Sequence, residues 1–461
     1  MFRRLRIQNF KCWADTGEMR LAPITVLFGR NSSGKTSIIR FLLMLKQTVE
    51  SPDRLRVLHL GDSASAADLG TYHDFVHGHD ARRDLRFELE WDLPSRLVLS
   101  EVDETGSRTF AGRALRFEAA VGEANGAGAL SVRRMEYVLG PDEADGTRVW
   151  MCAAEDRTRH ELGSSPLAMR RRQGRPRQRV APVKFYGFPE EEVAAHQDAG
   201  GLLDLVLALE QRLRGLHYVG PLRGYPNRSY VWSGQAPQEV GARGADVVPA
   251  LLGARDRAIS PGPRRKSVPF HELIARWLRE LGLVHSFEVK PLASHRREHE
   301  VLVRAWGGGP EVNLVDVGFG ISQVLPVIVQ CFYATRGSLV ILEQPEIHLH
   351  PSAQSGLADL LTEAIHARED GEDRGVQLLV ESHSEHLLER LQRRIAEGKL
   401  SKDDVAVYFC EQEGAASKMT PLELDRFGNI SNWPDGFFGD EMGDVLARAE
   451  AEAKRRQGAL K

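Results

Sequence analysis

The chain has 461 residues, 42% of them hydrophobic and 27% charged, with a formal net charge of −3. This balance allows two or three domains with a large core and excludes a chain-wide basic character, so any surface for nucleic acid has to be local. Cys12, Cys152, Cys331 and Cys410 form no CxxC pair, which argues against a zinc site or a disulfide framework and for a reducing compartment. Met1-Phe-Arg-Arg-Leu-Arg-Ile7 lacks the apolar core of a signal peptide, and no apolar run reaches the roughly 18 residues of a membrane span. A cytoplasmic location with no membrane partner is expected.

In chain order, Leu5–Phe10 has strand composition and Ile24–Phe28 is a short apolar run of the buried-strand kind. A Gly-rich turn follows, and Ser37–Lys46 then has helical length and apolar spacing. Leu85–Trp91, Ala114–Ala119 and Val132–Val138 alternate and predict antiparallel, half-exposed sheet. Arg170–Arg179 is a basic low-complexity loop, Gly201–Leu213 reads as helix, and a second basic loop, Ser260–Lys266, precedes an amphipathic helix at His271–Leu281.

From Val312 the α/β pattern returns. The helices Ser322–Tyr333, Ala353–Ala367 and Glu385–Ile395 alternate with the strands Ser338–Glu343, Val376–Glu381 and Val405–Phe409. No internal repeat and no sustained heptads interrupt this order, so a compact α+β insertion of about 220 residues is expected between two lobes, not a coiled-coil arm. The expected division is 1–90 for the N-terminal lobe, 91–300 for the insertion, 301–410 for the C-terminal lobe and 411–461 for a cap or tail.

Gly29-Arg-Asn31-Ser32-Ser33-Gly34-Lys35-Thr36 matches GxxxxGK[ST] at every fixed position. Glycines let such a loop curl so that successive N–H groups, through Ser37, face phosphate oxygens, while the following helix adds its positive end. Lys35 is expected to reach the β- and γ-phosphates of ATP, and the Thr36 hydroxyl to ligate Mg²⁺. Ser338–Glu343 is an apolar strand that ends in carboxylates, Glu343 and then Glu346 after Gln344 and Pro345. At that sheet edge Glu343 is placed to hold Mg²⁺ or its water. Asp316-Val-Gly318-Phe-Gly320-Ile-Ser322-Gln323 opens a helix with the parts of a second anion site. His383 ends the next strand, where it can donate to the γ-phosphate or a nearby water. The rival reading of His348, His350, His383 and His386 as metal ligands lacks spacing of the HExxH kind.

Taken in order, these motifs resemble the ABC-type ATPases of the SMC/RecF/OLD class. Leu5–Lys11 and Pro23–Gly29 are similar to that class's N-terminal lobe, Glu343–Pro351 to its Walker B segment and Glu381–Leu388 to its switch-histidine segment. Tyr218-Val-Gly-Pro-Leu-Arg223, Val240-Gly241 and Asn429–Phe438 resemble a prokaryotic family of stand-alone AAA-family ATPases closing in a C-terminal domain of unknown function. The fold implied is α/β, an ABC-type P-loop NTPase head with a mixed sheet. The resemblance also implies a homodimer or higher oligomer in which two heads sandwich ATP. Ser322, with Gly320 and Gln323, would meet the γ-phosphate in trans and His383 would sense it in cis. These ATPases usually carry a glutamate after the Mg²⁺-binding acid, and Gln344 stands there instead. An amide orients water but takes no proton, so slow turnover is expected, with Glu346 as the candidate substitute.

What such a switch acts on stays open between DNA and protein. Six arginines in Arg170–Arg179 and the loop at Arg264–Lys266 suit phosphate contacts, hence a clamp in DNA repair or anti-phage defence, or they form a solvated loop. The alternative is a regulatory or scaffold ATPase that controls an effector protein. Only 78 residues follow His383, too few for the Toprim nuclease domain of OLD-type enzymes. Trp433–Phe438 reads equally as a docking segment or a core cap. An ABC transporter subunit fits poorly, because its motifs occupy a much shorter span.

Overall fold

The computed structural model describes the chain except residues 104–105, 125–127, 143–145, 155–159, 173–179, 198, 306–307, 435–436, 438–446, 450, 453–454 and 456–461. Among the described residues, a six-stranded sheet runs in the order Leu216–Val219, Leu339–Glu343, Gln377–Glu381, Ile24–Gly29, Val405–Glu413, Ala416–Leu422. The first five strands pair in parallel and only the last pair is antiparallel, so the sheet is mixed. Strands from both ends of the sequence therefore build one sheet, with Ile24–Gly29 between two C-terminal strands.

Parallel strands covered on both faces need apolar residues at every position, not at alternate ones. Residues 24–28 and 339–343 are buried throughout. Their side chains nevertheless alternate between two cores. Leu27, Ile341 and Leu379 join the core around the helices Lys35–Glu50 and Gly200–Arg214. Val26, Phe28, Val340, Leu342 and Val380 join the core around Phe270–Glu280, Phe319–Tyr333, Pro351–His366 and Glu385–Ala396. The Lys35–Glu50 helix buries Ile38, Ile39, Phe41, Leu42, Met44 and Leu45 around its circumference, as a helix covered on both sides does.

That helix is covered because a second, antiparallel sheet lies across it. Among the described residues it has eight strands, in which Phe2–Phe10 pairs with Leu85–Asp103, followed by Gly106–Ala124, Ala129–Leu139, Thr147–Ala153 and His160–Ser165. The sheet thus runs unbroken from the N-terminal strand into the expected insertion, and residue 90 falls inside Leu85–Asp103, where Glu90 pairs with Arg4 and Arg116. Residues 300 and 410 likewise fall inside the strands Glu298–Arg304 and Val405–Glu413. The alternating runs predicted at 85–91, 114–119 and 132–138 are parts of longer strands, the first at the start of Leu85–Asp103 and the other two inside Gly106–Ala124 and Ala129–Leu139. His160–Ser165 escapes prediction because Gly163 and two serines break the alternation.

The C-terminal segment is in part a core cap. Phe437 is buried with its ring centroid 4.8 Å from Phe409, 5.5 Å from Phe28 and 5.0 Å from Trp433. No helix among the described residues is long and apolar enough to cross a membrane.

Candidate nucleotide-binding site

The turn after Ile24–Gly29 can curl only because of two glycines. Gly29 has φ +140 and Gly34 φ +98, backbone that side chains disfavour. A Cβ on Gly29 would lie 2.0 Å from the Cys410 carbonyl oxygen, and one on Gly34 would lie 2.6 Å from Cys12 Sγ. The Trp13 indole N–H donates to the Gly34 carbonyl at 3.1 Å and props the loop from beneath. Gly29→Ala is accordingly expected to destabilise the chain by about 3 kcal/mol, since the obstacle is backbone that cannot rotate away; a thermal melt within 1 °C of wild type would contradict this.

The loop opens on a pocket of about 390 Å³ lined by Asn31, Ser32, Ser33, Gly34, Lys35, Thr36, Ser37, Gln344, Glu381 and His383. Lys35 Nζ donates to the Gly29 and Arg30 carbonyls at 2.9 and 2.8 Å and lies 4.0 Å from Glu381. Burial holds the Lys35 ammonium below its ordinary pKa, opposed by Glu381. Ser33 Oγ is buried without a hydrogen-bond partner.

Two carboxylates meet at the sheet edge because of strand register. Glu343 and Glu381 are direct partners in the parallel pair, so both project from neighbouring strand ends. Thr36 Oγ1 donates to both Glu381 oxygens, at 2.9 and 3.1 Å, while Glu343 accepts from the Tyr218 hydroxyl at 2.6 Å. The sequence reading chose Glu343 beside Thr36, whereas the structure puts Glu381 there. Burial and then the neighbouring Glu343 push the Glu381 carboxyl up to about 7, against the opposing pull of Lys35 and Thr36. Glu381 could have been found by the test that found Glu343, as a carboxylate ending the apolar run Leu378–Val380.

Behind them, Glu346 is buried and its Oε1 accepts from the His383 backbone N–H at 2.7 Å. Burial raises its pKa. His383 opens on the pocket, and partial burial followed by the Lys35 charge holds its imidazole below the ordinary value. Gln344 has φ +46, and its N–H donates to the Glu381 carbonyl at 2.8 Å. This strained turn carries the chain from Glu343 to Glu346. Tyr218 and Arg223, both within the Tyr218–Arg223 segment, also reach this turn; nothing in local sequence chemistry marks them, because it is the pairing of Leu216–Val219 with Leu339–Glu343 that delivers them.

The Gly320–Gln323 turn is elsewhere. Ser322 lines a second pocket, with Tyr225, Arg243 and Leu325, and Gln323 is buried. Gly320 starts the Phe319–Tyr333 helix against the His348 carbonyl oxygen, 3.2 Å from where a Cβ would be. Among the described residues no three His, Cys, Asp or Glu side chains form a metal-binding group, so the four histidines are not assembled as ligands. Of the basic run Arg170–Arg179, residues 173–179 lie outside the described residues; Arg264, Arg265 and Lys266 are exposed.

Residues 1–87 match the family model "AAA ATPase domain", residues 263–389 match "AAA domain, putative AbiEii toxin, Type IV TA system", and residues 400–447 match "Protein of unknown function (DUF3696)". No curated protein matches the chain. Among solved structures, an SMC head domain from Thermotoga maritima is 11% identical, with 92% of this chain and 99% of that one covered and a TM-score of 0.37. An SMC head bound to the C-winged helix domain of ScpA is 10% identical, with 92% and 98% covered and a TM-score of 0.43. A head with an extended coiled coil, bound to the C-terminal domain of ScpA derived from Pyrococcus furiosus, is 9% identical, with 92% and 96% covered and a TM-score of 0.38. The two ATPase-domain matches fall on the two stretches of sequence that supply the parallel strands Ile24–Gly29, Leu339–Glu343 and Gln377–Glu381. The chain thus carries two stretches similar to AAA ATPase domains, which together supply parallel strands of the nucleotide-binding sheet, followed by a stretch similar to the DUF3696 family.

Proposed function

We propose that the chain is an ATP-gated dimeric clamp or switch with slow turnover. One observation carries this reading: Ser322 and the phosphate loop line different pockets of the same chain. A turn built of anion-binding parts, but lining a different pocket from the chain's own loop, suits the nucleotide of a second copy. ATP then joins two heads through contacts that only the γ-phosphate supplies, and hydrolysis releases them. Gly29, Asn31, Ser32, Ser33, Gly34, Lys35, Thr36 and Ser37 hold the phosphates. His383 senses the terminal one, while Gly320, Ser322 and Gln323 shape the trans contact.

The donor set fits Mg²⁺. Hydroxyl and carboxylate oxygens are the ligands this cation prefers, and Thr36 Oγ1 lies against both Glu381 oxygens at the pocket, with Glu343 beside Glu381 in register. Thr36, Glu381 and Glu343 would hold the ion, which supplies charge neutralisation at the phosphates. Association is tested by sedimentation with and without ATP, comparing wild type with Lys35→Ala. A wild type that stays monomeric in saturating ATP would exclude the clamp.

Slow turnover rests on Gln344 and on Glu346, whose Oε1 is already committed to His383 N–H. If Glu346 is the base, Glu346→Gln lowers kcat about 100-fold with ATP affinity nearly unchanged. Wild-type turnover of tens per second would refute slow cycling. An unaltered Glu346→Gln together with a faster Gln344→Glu would exclude Glu346.

For the biological role we propose a clamp in DNA repair or anti-phage defence, with the exposed Arg264–Lys266 loop as the described basic surface. Neutralising that loop should then weaken DNA binding at low salt. Retention of a partner protein on wild type with ATP, but not on Lys35→Ala, with no DNA affinity, would favour the alternative of a scaffold that controls an effector.

A further inference from the structure

Arg223 is a charged residue almost wholly withdrawn from solvent, at 4% exposure. Burying a guanidinium costs several kcal/mol unless its donors find partners. Its partners here join two distant stretches of the chain. Nη2 donates to the Glu343 and Gln344 carbonyls at 2.9 and 3.3 Å, and Nη1 donates to the Gln323 carbonyl at 3.1 Å. Gln323 Nε2 returns a bond to the Arg223 carbonyl at 3.5 Å. Gln323 adjoins Ser322 in the first turn of the Phe319–Tyr333 helix. Gln344 is the positive-φ residue between the two acidic positions of the other stretch.

The guanidinium is thus a rigid planar strut from the Ser322 turn to the turn that carries Glu343 and Glu346. It is not saturated. Arg223 Nε and Glu346 Oε2 are both buried without a hydrogen-bond partner, and Arg223 lies within the electrostatic reach of Glu346. The unpartnered Arg223 Nε faces the charge of Glu346, so the strut and the acidic turn are linked electrostatically as well as through the carbonyls.

We propose that Arg223 is a positioning residue that couples the start of the Phe319–Tyr333 helix to the Glu343–Glu346 turn. Filling the phosphate loop shifts the acidic turn, and the guanidinium carries the shift to Ser322; by reciprocity, a contact at Ser322 resets the acidic turn. The use of this coupling rests on the clamp reading above, whereas the wiring does not. Arg223→Lys keeps the charge but loses the planar fork that reaches three carbonyls.

The test uses the full chain at a concentration where sedimentation shows monomer, so a second copy cannot touch Ser322. A fluorescent ATP analogue fills the loop, and hydrogen exchange reads residues 319–325. In wild type, filling the loop should change exchange there. In Arg223→Lys the analogue should bind within about threefold of wild type, the change should vanish, and kcat should fall at least about tenfold at nearly constant KM. An exchange response that survives in Arg223→Lys, or a fall in kcat matched by lost affinity, overturns the coupling. If the variant does not fold, wild type decides: exchange at 319–325 that ignores loop occupancy overturns it equally. Association at higher concentration is scored separately, and its absence removes the clamp while leaving the coupling in place.

Discussion

Lys35→Ala should weaken ATP binding by about 100-fold or more, because a charge-assisted contact to phosphate contributes on the order of 3 kcal/mol. The side chain has two tasks that the variant separates. In the structure it ties the loop to itself through the Gly29 and Arg30 carbonyls. With nucleotide the same ammonium is expected to reach the terminal phosphates. The loop's own bonds are few, and Trp13 still props Gly34, so the melting temperature should move by only a few degrees. Binding is followed with the fluorescent analogue and stability by thermal unfolding. Retained affinity would show that the loop does not hold the phosphates. A collapse of the fold in parallel would instead assign Lys35 a structural task.

The second large effect concerns Glu381 and its dependence on pH. Its carboxyl is raised from the ordinary 4.5 to about 7, first by burial and next by Glu343. A group whose folded pKa is raised binds its proton more tightly on folding. Its stabilisation is therefore fully present below pH 4.5 and is lost as pH rises through 7, with a slope of up to ~1.4 kcal/mol per pH unit. Mg²⁺ has the opposite preference, since a metal needs the carboxylate and displaces the proton. Mg–ATP affinity should climb by up to about tenfold per pH unit towards pH 7 and level above it. Glu381→Gln should flatten both profiles and lower Mg–ATP affinity at pH 8 by about 100-fold. Titrations of Mg–ATP between pH 5.5 and 8.5, paired with urea melts at each pH, read both effects. A Glu381→Gln variant that keeps the wild-type slopes would move the titrating group elsewhere, with Glu346 the next candidate because burial also raises its carboxyl.

The strands and helices of the two lobes were legible because their signals are local. Ile24–Phe28 and Ser338–Glu343 are apolar runs of strand length, and the amphipathic repeat of His271–Leu281 appears as the Phe270–Glu280 helix. The antiparallel strands at 85–139 were legible only in part, at 85–91, 114–119 and 132–138, where apolar and polar residues alternate most strictly. Their long ends contain Gly, Asp and Ser, which weaken the pattern without preventing pairing.

By itself the sequence determined the phosphate loop, since its glycines, lysine and threonine are adjacent in the chain and their conformational demands are local. Strand-ending carboxylates could likewise be recognised as candidates. Which carboxylate faces Thr36 was decided only by the sheet. Placing Gln377–Glu381 between the loop strand and Leu339–Glu343 sets Glu381 against Thr36 and turns Glu343 to Tyr218. The same tertiary pairing of Leu216–Val219 brings Arg223 across 120 residues to the Glu343 carbonyl. A residue's own spacing carries no trace of such a partner, because register between strands remote in sequence is fixed by the packing of both faces of the sheet.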